Sequence, residues 1–347
     1  MVTVGGDSHK RSHTLVAVDE NGRQLGESRV AATPAGHIEA LDWAQQWPQR
    51  SWALENCRQL SRGLERDLLA AGERVVQVSP KLMGKSRRSS REQGKSDPID
   101  ALAVARAALR EPNLPVAQLE GKSRELKLLV DHREDLVGER TRIQNRLLWY
   151  LHELEPGFEV AAGGLVRSIV QMEVRRLLKR HRGVVAEIAL EQVARLVELT
   201  RSVKALQRRI ELLAAELAPS LLRLPGCAGL CAAKLVAETA DVRRFRSSAA
   251  FAMHNGTAPI PVWSGNHERH RLNRGGNRQL NVALHRIAIT QLRLGGEACQ
   301  YVSRRMSMGN TKREAIRALR RQISDEVYRR MRLDSLEQLL TTNAAAA

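Results

Sequence analysis

Two groups of residues in this chain have types and spacings suited to chemistry on phosphate. The first is a set of carboxylates, Asp7, Glu55, Asp97 and Asp100. Asp7 closes the short apolar run Val2 to Gly6, Glu55 follows directly on Trp52-Ala53-Leu54, and Asp97 and Asp100 sit in Asp97-Pro98-Ile99-Asp100-Ala101. A carboxylate straight after an apolar strand is partly buried and demands a partner. Four such groups brought together repel one another unless a hard dication neutralises them. Mg²⁺, with Mn²⁺ able to substitute, takes such oxygen ligands while water and phosphate complete its octahedron. The four residues are therefore candidate metal ligands and catalytic groups. Asp97 and Asp100 also have a simpler use, as acidic first-turn residues that complement a helix dipole.

The second group is a hydroxyl among cations. Ser264 lies in Val262-Trp263-Ser264-Gly265-Asn266, and Arg269, Arg271, Arg274 and Arg278 crowd the positions just after it. Guanidinium groups grip phosphate oxygens bidentately and lower the cost of forming an alkoxide, so the pattern suits a serine nucleophile attacking a phosphodiester. A phosphate clamp on the surface needs the same arginines without the attack, and this segment taken alone fits the clamp as well. His267 and His270 stand nearby; in so basic a neighbourhood their ordinary role is hydrogen bonding to phosphate.

Two further stretches suit a polyanion. The run from Pro80 to Lys95 is basic, poor in apolar residues and dotted with Gly and Ser, and it offers Lys85, Arg87, Arg88 and Arg91 immediately before Asp97. Such a loop orders against a phosphate backbone, or serves as a plain solvated linker. Leu224-Pro225-Gly226-Cys227-Ala228-Gly229 enters a helix over Cys231 to Thr239 and has the form of a helix-hairpin-helix turn. In that reading backbone amides around Gly226 and Gly229 hold a phosphate without reading bases; a helical pair packed for its own sake is the alternative.

Composition agrees with a nucleic-acid partner. The 347 residues carry 56 Lys+Arg against 38 Asp+Glu, a formal charge of +18 spread along the chain. Eleven aromatic residues (three Phe, three Tyr, five Trp) are too few for extensive base stacking. No apolar span reaches transmembrane length, so a membrane partner is not expected. Cys57, Cys227, Cys231 and Cys299 are too scattered for a disulfide framework, which makes a reducing cytoplasm the expected compartment. Cys227 and Cys231, on what reads as one helix, are expected to pack.

The elements that must position these groups are legible in part. Val2 to Gly6, Thr14 to Val18 and Gln24 to Val30 read as strands, the last two joined through Asn21-Gly22. Thr33-Pro34 opens a helix, Ser51 to Leu54 is a strand, a helix runs from about Gln59 to Ala71, and Arg74 to Val78 is a strand. Three strands, then helix, strand, helix, strand, helix is the order of an RNase H-like fold. If the first and fourth strands are neighbours, Asp7 and Glu55 come together. Asp97 is expected to cap the helix that carries Asp100.

Beyond Pro115 the pattern turns helical. Leu126, Leu129, Leu136, Ile143, Leu147, Leu151 and Leu154 trace one face. Leu196, Leu199, Val203, Leu206, Ile210, Leu213 and Leu217 form a heptad seam that predicts a coiled coil, against the first long helix or against a second subunit. Phe245, Phe251 and Met253 are expected in the core of the region that follows, and the end from Asn343 to Ala347 is expected to be disordered.

Taken together these pieces resemble the IS110 family of transposases. The resemblance rests on Gly-Gly-Asp-x-x-Lys at Gly5 to Lys10, Ala-Leu-Glu at Ala53 to Glu55 and Lys-Ser-Asp-x-x-Asp-Ala at Lys95 to Ala101. It continues through Leu-Pro-Gly-x-x-Gly at Leu224 to Gly229 and Ser264-Gly265 followed by Gly276-Asn277-x-x-Leu280. The family implies an α/β N-terminal domain of RNase H/RuvC-like fold, a long helical coiled-coil connection and a mainly α C-terminal domain with a helix-hairpin-helix-like element. The corresponding divisions here are 1–115, 116–217 and 218–335, with 336–347 as a tail.

The resemblance also implies that Asp7, Glu55, Asp97 and Asp100 form an acidic Mg²⁺ site and that Ser264 makes a covalent link to cut DNA. Donor and target double-stranded DNA, a structured guide (bridge) noncoding RNA and a homo-oligomer, a dimer assembling to a tetramer, are the implied partners. Localisation would be the bacterial cytoplasm, on the nucleoid when acting. The chain departs from the family pattern at Gly6, at Asn56-Cys57 and at Asn281, where arginine is common. Two alternatives stay open: a RuvC-like Holliday-junction endonuclease that uses the carboxylates without a serine step, and a noncatalytic nucleic-acid-binding protein.

Overall fold

The computed structural model describes residues 1–55, 60–80, 82–83, 96–111, 113–117, 121–265 and 267–346. Lys85, Arg87, Arg88 and Arg91, and Asn56-Cys57, lie outside the described residues. The chain divides into two compact units, Met1–Gly121 and Lys122–Ala347.

The first unit is built on a five-stranded sheet in the order β3-β2-β1-β4-β5. Strands β1 (Val2–Ser8), β2 (Ser12–Val18) and β3 (Gln24–Ala31) form an antiparallel meander, and β4 (Arg50–Glu55) and β5 (Val75–Val78) add in parallel. The chain order of strands and helices is the one expected from the sequence, and the sheet makes β1 and β4 neighbours. β1 is central and covered on both faces, so it reads as a continuous buried run, whereas edge strand β3 is largely exposed. The β2–β3 turn passes through Gly22 at φ +77°, where Asp19 accepts from the backbone N–H groups of Asn21 and Arg23.

One face of the sheet, with Val4, Leu15, Trp52 and Leu54, packs on helices α1 (Pro34–Ala44) and α2 (Arg62–Ala70). Trp52 is fully buried, and its indole N–H is satisfied by Glu73 at 2.9 Å. The other face carries α3 (Asp97–Arg110), whose Ala101 and Ala105 meet Val16 and Val18. Gly5 allows this approach: a Cβ there would stand 2.3 Å from Ala101 O and 2.6 Å from Ala105 N. Gly6 faces the opposite side, where Leu54 already fills the space a side chain would take.

The second unit begins with α4 (Lys122–Leu154), packed antiparallel to α6 (Val184–Leu217) with the short α5 (Ser168–Leu178) at one end. The direction follows from the cross-links: Glu125 meets Arg209, Arg133 meets Gln207, and Glu139 meets Arg195. The heptad residues Leu196, Leu199, Val203 and Ile210 are buried within the chain, alongside Ile143, Leu147, Leu126 and Val130 of α4.

After α7 (Pro219–Leu222) come α8 (Gly229–Thr239), α9 (Ser248–Asn255), a hairpin of β6 (Ile260–Ser264) and β7 (His267–Arg271), and helices α10 (Arg278–Leu294), α11 (Glu297–Ser307) and α12 (Lys312–Ala346). Phe245 and Phe251 are buried edge to face, but Met253 is half exposed, at 50%, one residue position off the inward face of α9. Cys227 precedes α8 instead of sharing its helix with Cys231; it is buried, and burial pushes its thiol up to about 12. The C-terminal end continues as helix to Ala346, as the alanine run favours, where disorder is expected from its exposed position. Among the described residues no helix is long and apolar enough to cross a membrane.

Candidate active site

Sheet register assembles the acidic group. β1 and β4 run parallel with Gly5 beside Ala53 and Gly6 beside Leu54. Side chains alternate along a strand, so Asp7 shares the α3-facing side with Gly5, and Glu55 shares it with Ala53. The N-terminal end of α3 supplies Asp97 and Asp100 on that same side of the sheet. All four predicted carboxylates therefore belong to one end of one face.

Within that group the structure distinguishes members. Donor atoms of Asp7, His9 and Asp97 lie within 4.8 Å of one another, while Glu55 and Asp100 are outside this tightest set. His9 Nε2 is 3.1 Å from Asp7 Oδ2 and 3.3 Å from Asp97 Oδ1. Asp7 and Asp100 are buried, whereas the Asp97 side chain is 41% exposed. Burial pushes the Asp7 carboxyl above its ordinary range, His9 opposes this, and the negative charges of Asp100 and Asp97 push the same way as burial. A donor set of carboxylates that raise one another's proton affinity is one that a divalent cation fits.

The cap of α3 differs from expectation. Ser96 is the N-cap residue, without a side-chain cap bond, and Asp97 is the first helical residue, its carboxylate turned to His9. His9 itself is missing from the four-carboxylate reading. The available signal was period two, which carries Asp7 and His9 to one side as the strand runs out.

Ser264 ends β6 and pairs with His267 of β7, and Gly265 follows it at φ +59°. This hairpin was not anticipated, because β7 reads His-Glu-Arg-His-Arg with no apolar alternation; Gly265-Asn266 was its local signal. Arg271, Arg274 and Arg278 are exposed, with Arg271 on β7 and Arg278 opening α10; Arg269 pairs with Val262 in the ladder. Much of the Gly276-Asn277-x-x-Leu280 motif is architectural. Gly276 touches the Gly256 backbone, Asn277 caps α10 by accepting from Gln279 and Leu280 N–H, and Leu280 is fully buried. Asn281, where arginine is common, accepts from Arg320 at 2.8 Å, so α12 brings a guanidinium to that point.

Gly226 and Gly229 are both close-packing positions. A Cβ at Gly226, φ +79°, would stand 2.9 Å from Ile287 O of α10, and one at Gly229 would strike Glu211 of α6 at 2.6 Å. Their turn borders an open cavity of about 760 Å³ that Arg223, His285, Arg286 and Arg293 also line. The exposed Arg223, Arg286 and Arg293 put positive charge along this groove beside the start of α8.

Comparison with known proteins gives these features a class. Residues 4–156 match a transposase family model for DEDD-type IS110 proteins, and residues 218–303 match the model of the transposase IS116/IS110/IS902 family. The 44.8 kDa protein of insertion element IS116 from Streptomyces clavuligerus is 25% identical over 378 residues, covering 95% of this chain and 94% of that protein. The 42 kDa protein of insertion element IS900 from Mycobacterium paratuberculosis is 25% identical over 398 residues, covering 99% of each. Among solved structures, Thermus thermophilus RuvC in complex with a Holliday junction substrate is 17% identical, covers 34% of this chain and 99% of that one, and has a TM-score of 0.28. The protein is thus an enzyme of DNA transposition. It belongs to the IS110 family of transposases, as the two family models and the insertion-element relatives together show.

Proposed function

We propose that this transposase cuts and rejoins double-stranded DNA with two chemical centres, the carboxylates of the first unit and Ser264 of the second. The observation that carries the reading is the β1–β4 register, which brings Asp7 and Glu55 to the strand ends that α3 faces with Asp97 and Asp100. These four residues would hold Mg²⁺, with Mn²⁺ able to substitute, which when bound neutralises the carboxylates and polarises a phosphate oxygen. The Ser264 oxygen bonds to phosphorus as a phosphorus–sugar oxygen bond breaks, releasing a sugar hydroxyl that carries the proton. Attack by the hydroxyl of another strand returns the serine and completes the exchange. Arg269, Arg271, Arg274 and Arg278, together with the groove at Gly226 and Gly229 and the basic residues Lys85, Arg87, Arg88 and Arg91, grip phosphate.

In this scheme residues 116–217 connect domain 1–115 to the serine-bearing domain 218–335. A structured guide RNA selects the DNA, and dimers assemble to a tetramer. Support for the guide and the assembly is the family resemblance; support for nucleic acid in general is the +18 charge.

The test is a denaturing gel of labelled donor and target DNA incubated with protein, Mg²⁺ and the RNA that copurifies with it. Wild type is expected to give a covalent protein–DNA band that Ser264→Ala lacks, and both Ser264→Ala and Asp100→Ala are expected to abolish strand exchange. DNA cleaved by Ser264→Ala at the wild-type rate would instead favour a carboxylate-only endonuclease. That second reading has its own support, since the donor cluster is complete within the first unit.

A further inference from the structure

His9 joins the two acidic elements of the site. Its Nε2 faces two carboxylates from different elements, Asp7 Oδ2 at 3.1 Å and Asp97 Oδ1 at 3.3 Å. A ring nitrogen carries at most one proton, so it donates well to one of them; the bond is made to Asp7. Asp97 approaches the same nitrogen from a second element without a hydrogen bond of its own, so the imidazole stands where one positive charge, a ring proton or a metal ion, holds both carboxylates. A cation seated among the three would satisfy both carboxylates and the nitrogen lone pair together.

The dimensions agree. Donors that occupy adjacent corners of an octahedron, each about 2.1 Å from the ion, are about 3.0 Å from one another. The two His9 separations, 3.1 and 3.3 Å, are close to that edge, and all three donor atoms lie within 4.8 Å of one another. The ring is also held in place and accessible. The His9 backbone N–H donates to Ser12 O at 3.0 Å, closing the tight connection from β1 to β2, and its side chain is 48% exposed, within reach of solvent and ions.

We propose that His9 is a ligand of the divalent cation through Nε2, completing one face of its coordination shell with Asp7 and Asp97. The inference rests on the metal-site reading given above and goes beyond it by naming a nitrogen donor and the ion it selects. Mg²⁺ favours oxygen ligands and keeps its waters, whereas imidazole suits ions later in the first transition row. With one imidazole among carboxylates the site prefers Mn²⁺ to Mg²⁺, and His9 is the residue that sets the preference.

The experiment uses full-length protein, Mn²⁺ as the probe and pulsed electron paramagnetic resonance as the readout, with no DNA or turnover required. Wild type is expected to bind Mn²⁺ with ¹⁴N modulation from a directly coordinated imidazole. His9→Ala is expected to bind about tenfold more weakly and without that modulation. His9→Asp restores a third donor as oxygen, so it regains tight binding while Mg²⁺ displaces Mn²⁺ at about tenfold lower concentration than in wild type. Circular dichroism of both variants checks that the fold is intact. Bound Mn²⁺ without ¹⁴N modulation in wild type, or modulation that persists in His9→Ala, overturns the His9 assignment and leaves the acidic site standing. Absence of Mn²⁺ binding by wild type overturns the metal site itself, and the role of His9 with it.

Discussion

The two centres proposed for this transposase are built in opposite ways. The acidic residues of the first unit project from the end of a covered sheet, with Asp7 buried and its neighbours fixed by strand pairing and by a helix in backbone contact with Gly5. Ser264 sits at the end of a two-stranded hairpin beside exposed arginines, with Trp263 67% exposed. One centre draws its geometry from packing, and like charges there are tolerated because the sheet holds them together. The other is a two-stranded hairpin on the surface, with exposed arginines beside it. Charge follows the same division: repulsion stored in a core site, and attraction displayed on an open one.

The sharpest way to break this contrast is through Gly5. Gly5→Val drives a side chain into the backbone of α3, where neither Ala101 O nor Ala105 N can yield as a flexible side chain would. A loss of about 3 kcal/mol or more is expected, read as a lower urea midpoint, together with loss of cleavage as Asp97 and Asp100 move away from β1. An unchanged midpoint would mean that packing does not set the acidic geometry.

The second unit should respond the other way. Arg286→Ala combined with Arg293→Ala removes two exposed cations from the groove beside Gly226 and should leave the thermal midpoint in place. The slope of log affinity against log salt for duplex DNA is expected to fall by about 2, one per lost phosphate contact. Equal slopes for variant and wild type would remove the groove from the DNA path.

The smallest effect concerns acid. Burial first, then the neighbouring His37 and His9, pushes His13 down to about 4; burial first, then Arg244, does the same to His254. Both lie below the ordinary value of 6.5, so the unfolded chain takes up protons that the folded chain refuses. Stability should decline as pH falls from about 6.5 towards about 4. Because His13 belongs to the first unit and His254 to the second, His13→Gln and His254→Gln should each flatten the pH dependence of one melting transition. Midpoints that do not move between pH 7 and pH 5 would mean that neither ring is buried in its neutral form.

What was legible in the sequence follows the same physics. Strands flanked by Asn-Gly and Pro, and carboxylates at their ends, announce themselves because apolar runs and turn residues are local signals. The pairing of β1 with β4 was only a condition in the sequence, because strand pairing is non-local; the register meets it and sets Asp7 and Glu55 at neighbouring strand ends. His9 escaped because its meaning depends on Asp97, 88 positions later, and a lone histidine after a strand has many ordinary uses. The β6–β7 hairpin escaped because arginines and histidines occupy the positions where alternating apolar residues would mark a strand. Met253 read as core from its type, and only the turn of α9 decides that Phe251 points inward and Met253 outward.

The contact between Gly256 and Gly276 has a consequence for how the hairpin is held. These glycines flank the hairpin, and the clasp is tightened by Asn277 N–H to His254 O at 2.7 Å and by the Asn273 and Asn281 side-chain amides on the carbonyls of Met253 and Asn255. The segment between them leaves and re-enters the helical body through a single narrow neck. That neck fixes where the two strands enter and leave, so the hairpin is anchored to the helices at its base while, among the described residues, its strands pair only with each other.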